Sequence, residues 1–401
     1  MKRAIILLMV CVVGAQAQVT VSKNFQKHAF AVTGFGGDAS VAGQVAGVLK
    51  NDLQLSGYFE IKPAAEAEFV QQGNVRVQGG VGYVDCTVTL RANNKVILSK
   101  TYQGSVQDLR RVTHQIADEI VQAITNQRGI ARTKIAFVLT RTHKELAVMD
   151  YDGYNVRQIT EDKSISVRPR WSPNGRKIIY TSYLQMFPDV LEADLYTHQR
   201  RRVASYPGLN TGAEFSPDGN SIALTLSKDG NPELYTMNAA GGGLQRLTRT
   251  RGAESSPTWS PDGLSIAYVS DDRGSPQIYV IGREGGEPTR LTVSPSYNTE
   301  PNWSRPPAGS DLKPMLAITS RVGGKFQIGI YDSGTREVVP KVADGAVNED
   351  PSWAPDGRHL VFAKTTGYRS RLYLLDVVTG EQVELPVVEG GASEPAWGPG
   401  L

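Results

Sequence analysis

The sequence predicts an α/β N-terminal domain, with two helices on a mixed sheet, followed by a six-bladed β-propeller. Three observations predict it. A pentapeptide recurs as "WSPNG" (171–175), "FSPDG" (215–219), "WSPDG" (259–263) and "WAPDG" (353–357). Residues 18–130 lack that repeat and carry two helical stripes instead. The repeating part also begins without its first strand and ends on one that has no successor.

In chain order, Lys2 and Arg3 precede the apolar run "AIILLMVCVVG" (4–14) and the small-x-small motif "AQA" (15–17). This is the pattern of a cleavable export signal over 1–17, and it is too short for a stable bilayer span. The alternative, acylation at Cys11, lacks a small residue just before that cysteine. The domain over 18–130 opens with a strand-like run, "HAFAVTGF" (28–35). A helix follows over 38–57, with Val41, Val45, Val48, Leu49 and Leu53 on one face, Asp38 or Ser40 as the cap and Gly57 as the stop. Four strand-like runs occupy 58–62, 74–79, 83–92 and 95–104. A second helix over 105–125 carries Leu109, Val112, Ile116, Ile120 and Ile124 in one stripe. Helices that bury one stripe against a sheet give a small two-layer domain.

The propeller is assigned to 131–401. Its anchors are Trp171, Phe215, Trp259, Trp303, Trp353 and Trp397, separated by 44, 44, 44, 50 and 44 residues. The long gap holds an insertion, "RPPAGSDLKP" (305–314). A fixed period of this size with four short strands per unit is the signature of propeller blades. Each unit reads x-P-x-W as strand A, then the turn S-P-D-G, then strands B, C and D. Proline sets φ at the second turn position, and Asp and Gly suit the next two. The pentapeptide is therefore scaffold: a hairpin corner with an aromatic wedge between blades. Residues 133–160 supply strands B, C and D with no A, and "EPAWGPGL" (394–401) supplies an A with nothing after it. Joined, they make the sixth blade and remove the open edge.

The formal net charge is +3, and most of it belongs to Lys2 and Arg3. A near-neutral chain with interspersed charges argues against nucleic-acid binding. Cys86 is the cysteine left after the leader, so no internal disulfide forms, and it reads as a small buried hydrophobe. His28, His114, His143, His198 and His359 show no metal-ligand spacing. No G-x-S-x-G elbow is present. "GFGGD" (34–38) lacks the P-loop lysine and reads as a plain loop. "DYDGYN" (150–155) reads as an Asp-Gly hairpin rather than a cation loop. No metal and no cofactor is expected.

The segments before each strand A read as D-to-A loops that ring one mouth of the channel: "ISVR" (165–168), "LNTGAE" (209–214), "AESS" (253–256), "YNTE" (297–300), "VNED" (347–350) and "GASE" (391–394). Glu300, Glu349, Asp350 and Glu394 make that mouth acidic. Loops on a rigid scaffold commonly carry recognition. The candidate partner-binding set is Leu209, Asn210, Gly212, Ser255, Thr299, Glu300, Asn348, Glu349, Ser393 and Glu394. A propeller hydrolase or lactonase using a cation at the mouth is one alternative. It would place convergent ligands on strands A, where this chain presents Pro and Trp, with acids only in the loops before them. A carbohydrate-binding propeller is the other, and Tyr297 is its one obvious aromatic platform.

The whole arrangement resembles the TolB family of the Tol–Pal system. "ADEIVQAIT" leading into "GIARTKIAFV" (129–138), "DYDGYN", "VASYPGLNTGAEFSPDG" (203–219) and the terminal "PAW" carry the resemblance. It implies a non-enzymatic, monomeric periplasmic adaptor that binds the lipoprotein Pal at the propeller mouth. It further implies coupling to TolA through the N-terminal segment 18–27, in the service of outer-membrane integrity and constriction during division. The family's Pal-contacting positions fall on Leu209, Asn210, Gly212 and Ser255. Leu209 and Ser255 stand where the best-known members carry histidine and threonine. The segment 18–27 is shorter than the family's and lacks its acidic, Gly-rich character.

Overall fold

The computed structural model describes residues 25–306, 313–386 and 389–400. The export signal and most of the N-terminal segment 18–27 lie outside the described residues, as does the middle of the insertion.

The first layer is a five-stranded sheet of β1 (His28–Gly37), β2 (Phe59–Ile61), β3 (Phe69–Gln78), β4 (Val81–Leu90) and β5 (Lys95–Ser105), in the order β2-β1-β3-β4-β5. β1 runs parallel to β2 and β3, whereas β3, β4 and β5 are antiparallel, so the sheet is mixed. Helices α1 (Ala39–Leu55) and α2 (Leu109–Thr125) pack against it. Asp38, one of the two caps the sequence offers, caps α1 by accepting from the Ser40 amide. Val45, Leu49 and Leu53 from α1 and Ile116 and Ile120 from α2 are buried in one core. "GFGGD" is not a plain loop. Gly34–Gly37 end β1, and a Cβ on Gly37 would lie 2.1 Å from the Val75 carbonyl oxygen. Close approach to β3 explains glycine there. Cys86 is buried, and burial first, with Glu119 adding, pushes its thiol up to about 12.

Six four-stranded sheets follow. Blades 1 to 5 have inner strands Ser166–Trp171, Asn210–Phe215, Glu254–Trp259, Asn298–Trp303 and Val347–Trp353. Blade 6 pairs the C-terminal strand Gly391–Trp397 with Lys134–Thr140, in register from Gly391↔Thr140 to Trp397↔Ile135. The closure predicted from the two chain ends is present.

The aromatic anchors hold neighbouring blades together. The Trp259 indole N–H donates to the Glu214 carbonyl at 3.1 Å, Trp353 to Asn302 at 3.1 Å and Trp171 to Ala396 at 2.9 Å. The Trp397 indole instead donates to Thr133 Oγ1, just ahead of a strand of its own blade, at 2.8 Å, and its amide donates to Ser352 Oγ of blade 5 at 2.9 Å. Trp303, beside the insertion, is only half-buried, and among the described residues its indole N–H finds no acceptor. The S-P-D-G turns close as expected. The amides of Gly175, Gly219 and Gly263 donate to the serine carbonyl three residues back at 2.8–2.9 Å, with φ between +67° and +74°.

The N-terminal domain sits on the turn side of blades 5 and 6. Arg358 donates to the Gly57 carbonyl at 3.0 Å and lies 4.2 Å from the Tyr58 ring centroid. Tyr151 reaches Asp52 of α1 at 2.8 Å, and one apolar core continues from both helices into Ile135, Val361 and Trp397. The opposite face, where the inner strands begin, is clear of that domain.

Candidate functional site: the channel mouth

The mouth is built by the first halves of the six inner strands. Each pairing with strand B is interrupted at one place: between Ser255 and Thr258, Thr299 and Asn302, Glu349 and Ser352, Ser393 and Ala396, and their equivalents in blades 1 and 2. The first residue of each interruption is left-handed: Arg168, Gly212, Ser256, Glu300, Asp350 and Glu394, with φ from +49° to +63°. In five blades proline follows. It has no N–H, so it loses nothing where the ladder breaks. This bulge is the physical meaning of x-P-x-W.

One expectation is corrected. The mouth residues are not in loops preceding strand A. Asn210, Gly212, Ser255, Thr299, Glu300, Asn348, Glu349, Ser393 and Glu394 lie within the inner strands. The strand resumes pairing on the far side of the bulge, so a proline signals an interruption rather than a beginning. Of the candidate set, Leu209 alone precedes its strand. The acids are thus on strands A, where the sequence reading placed only Pro and Trp.

The candidates occupy successive rings. Asn210 and Asn348 are fully buried. The Asn210 amide donates to the carbonyls of Tyr206 (2.7 Å), Pro188 (3.1 Å) and Gly208 (3.2 Å), which clamps the chain as it enters blade 2. The Asn348 amide does the same work through Asp344 and Gln327. Ser255, Thr299, Glu349 and Ser393 form the next ring and are half-buried. The left-handed residues form the third, and they contact one another from blade to blade. Glu394 Oε2 accepts from the Arg168 amide at 2.8 Å, and Glu300 Oε2 accepts from the Asp350 amide at 2.9 Å. The Arg168 guanidinium passes blade 2, where Gly212 has no side chain, and reaches Ser256 Oγ at 3.3 Å. Burial, then Glu300 and Glu394, push the Asp350 carboxyl well above the usual carboxylate range, against the pull of Arg168. Burial and Glu300 also raise Glu349.

Sequence reasoning placed Arg168 in a mouth segment but not among the candidate contacts, and missed a second layer behind it. Near the turn side, Glu214 of blade 2 accepts from Arg305 of blade 4 at 2.9 Å, with Arg170 of blade 1 at 3.6 Å. Aligning every blade on its anchor would have placed Arg168 with Glu300. Arg305 carries no such signal, because it stands where the repeat has a turn proline. The scattered histidines also gain a meaning. Among the described residues, Asp52, His114 and Asp152 bring ligand-type atoms within 4.8 Å of one another. They lie at the domain interface. Asp52 already holds His114 Nδ1 at 2.7 Å and the Tyr151 hydroxyl at 2.8 Å, and Asp152 pairs with Arg110. Burial works against the charged form of His114, but the hydrogen bond and charge of Asp52 prevail and its pKa is raised. Tyr297, the lone aromatic platform, packs on Phe326 with ring centroids 5.7 Å apart.

A family model described as the TolB beta propeller domain matches residues 121–401. The chain belongs to the TolB family. It is similar to the Tol-Pal system protein TolB of Legionella pneumophila (strain Corby), 32% identical over 203 residues, which are 45% of this chain and 48% of that protein. Its likeness to the Geobacter sulfurreducens TolB is 36% over 165 residues, 35% of this chain and 38% of that one. These matches span about half the length of the curated relatives or less. The crystal structure of TolB from Acinetobacter baumannii superposes with a TM-score of 0.83 at 27% identity, covering 93% of this chain and 97% of that one. Both TolB domains, the mixed sheet with its helices and the propeller, therefore belong to the match. Among the described residues no helix is long and apolar enough to cross a membrane.

Proposed function

We propose that this TolB-family chain is a non-enzymatic periplasmic adaptor of a Tol–Pal system. In this reading it binds Pal at the channel mouth and couples to TolA through its N-terminal segment, supporting outer-membrane integrity and constriction during division. The observation that carries the reading is the mouth itself. It faces away from the N-terminal domain and presents the carboxylates of Glu300, Glu349 and Glu394 around one opening, with Arg168 and the raised, uncharged Asp350 among them. Rigid strands hold these acids, so a partner meets a preformed charged rim. Such a rim steers a partner with complementary positive groups, chiefly through the association rate. Leu209, Gly212, Ser255, Thr299 and Ser393 complete the contact surface, while Asn210 and Asn348 hold its shape.

Titration calorimetry of the purified chain with the soluble domain of the host's Pal tests this. One-to-one saturable binding, weakened by added salt, is expected. Absence of binding, with the chain folded by circular dichroism, would overturn the reading.

A further inference from the structure

The connections between strands B and C also lie on the mouth face, and three of them have equal length. Blade 2 uses "SKDGNP" (227–232) and blade 3 uses "DDRGSP" (271–276), both polar. Blade 1 uses "YLQMFP" (183–188). The same scaffold accepts a polar hexapeptide twice, so folding does not require the apolar one. Nor is it folded inward. Met186 is 89% exposed, Phe187 60%, Leu184 47% and Tyr183 40%, and Ile165 beside them is 45% exposed. The backbone is held: the Tyr183 amide donates to the Ile165 carbonyl at 2.8 Å, and Ser164 Oγ donates to the Tyr183 carbonyl at 2.9 Å. Asn210 binds the Pro188 carbonyl at 3.1 Å, which ties the loop to the mouth. Large apolar side chains grouped on an anchored loop mark an interaction surface.

We propose that Ile165 and the Tyr183–Phe187 loop form an apolar lip that docks the same protein partner that enters the channel mouth. The proposal rests on the reading of the mouth as the Pal site. The partner's complementary surface would place apolar side chains beside a basic tip, the tip facing Glu300, Glu349 and Glu394 and the apolar part facing blade 1. Position selects this occupant: Asn210, inside the blade 2 inner strand at the mouth, holds the Pro188 carbonyl, so a partner seated in the mouth lies against the lip, while a bilayer or a second copy has no such seat beside it.

The test replaces residues 183–187 with the Ser-Lys-Asp-Gly-Asn of blade 2, a loop this fold already accepts. Met186→Ser combined with Phe187→Ser serves as a second variant. Each is titrated with the soluble domain of the host's Pal at low and high salt, beside a thermal melt. Sedimentation and flotation with phosphatidylethanolamine–phosphatidylglycerol vesicles are run on the same samples. The expected result is an unchanged melt and a dissociation constant raised about tenfold or more, by a similar factor at both salt concentrations, because two large apolar side chains leave the interface. Wild-type affinity in both variants would overturn the lip and leave the mouth reading intact. Failure of the wild-type chain to bind Pal would overturn the mouth reading and the lip with it. Unchanged Pal affinity with loss of self-association or of vesicle binding would also overturn the proposal, and would give the loop to a second copy or to lipid.

Discussion

The two ends of the inner strands obey one geometry but treat sequence differently. At the turn end, Pro-(Asp/Asn)-Gly repeats nearly in identity as well as in shape in blades 1, 2, 3 and 5, and the anchor aromatic beside it is buried in most blades. At the mouth end the left-handed bulge repeats in all six blades, yet its residues are Arg, Gly, Ser, Glu, Asp and Glu. Conformation is common to both ends, and chemistry is common only to the turn end. A turn that must satisfy its own hydrogen bonds admits few side chains. A bulge that projects a side chain into a channel constrains the backbone and leaves the side chain free for recognition.

The largest expected effect falls on the turn side of this comparison. Ending the chain at Ser393 removes most of the strand that closes blade 6, and the propeller should lose its cooperative melt. A truncated chain that melts like the full one would rule out the closure. Trp259→Ala should cost about 3–5 kcal/mol, the range for truncating a buried large aromatic. Pal affinity should hold wherever the variant stays folded, which calorimetry below the melt will check.

At the mouth end, Glu254 is buried between Thr250, Ser270 and Glu233. Burial first, with Glu233 adding, pushes its pKa up to about 7 from an ordinary 4.5. The folded state then holds the proton more tightly than the unfolded chain. That contribution is fully present below 4.5 and is lost as pH rises through about 7. Glu254→Gln should remove the loss, leaving the variant about 1–3 kcal/mol less pH-sensitive between about pH 5 and 8. Denaturant melts across that range decide it; parallel curves would refute the assignment. The smallest effect should come from Glu349→Lys. It should leave the melt unchanged and weaken Pal binding about fivefold at low salt, an effect that fades as salt screens the rim. A loss that persists at high salt would mean Glu349 acts through shape.

Much of the fold was legible because its determinants are local. The six anchors, the turn prolines and the unpaired strands at the two chain ends are all short-range patterns. So is the α2 stripe, which became buried Leu109, Val112, Ile116 and Ile120. The candidate site was legible only in part. Its residues were in view, but their setting was misread, because an x-P dipeptide looks the same at a strand's start and at a bulge within it. Asn210 was read as a contact and is spent on three carbonyls. The Tyr183–Phe187 run drew no notice, since exposure cannot be read from an apolar pentapeptide between two strands.

The sequence by itself determined the repeat, the turn chemistry and the way the ring closes, since each follows from sterics and hydrogen bonds within a few residues. Only the tertiary structure decided which residues meet. Arg168 finds Ser256 because Gly212 leaves the path open, Arg305 crosses the channel to Glu214, and Asp52 joins His114 and Tyr151 where the two domains dock. Those contacts span up to 99 residues of chain. They arise when closing the ring and docking the domain turn distance along the chain into proximity in space, which no local pattern encodes.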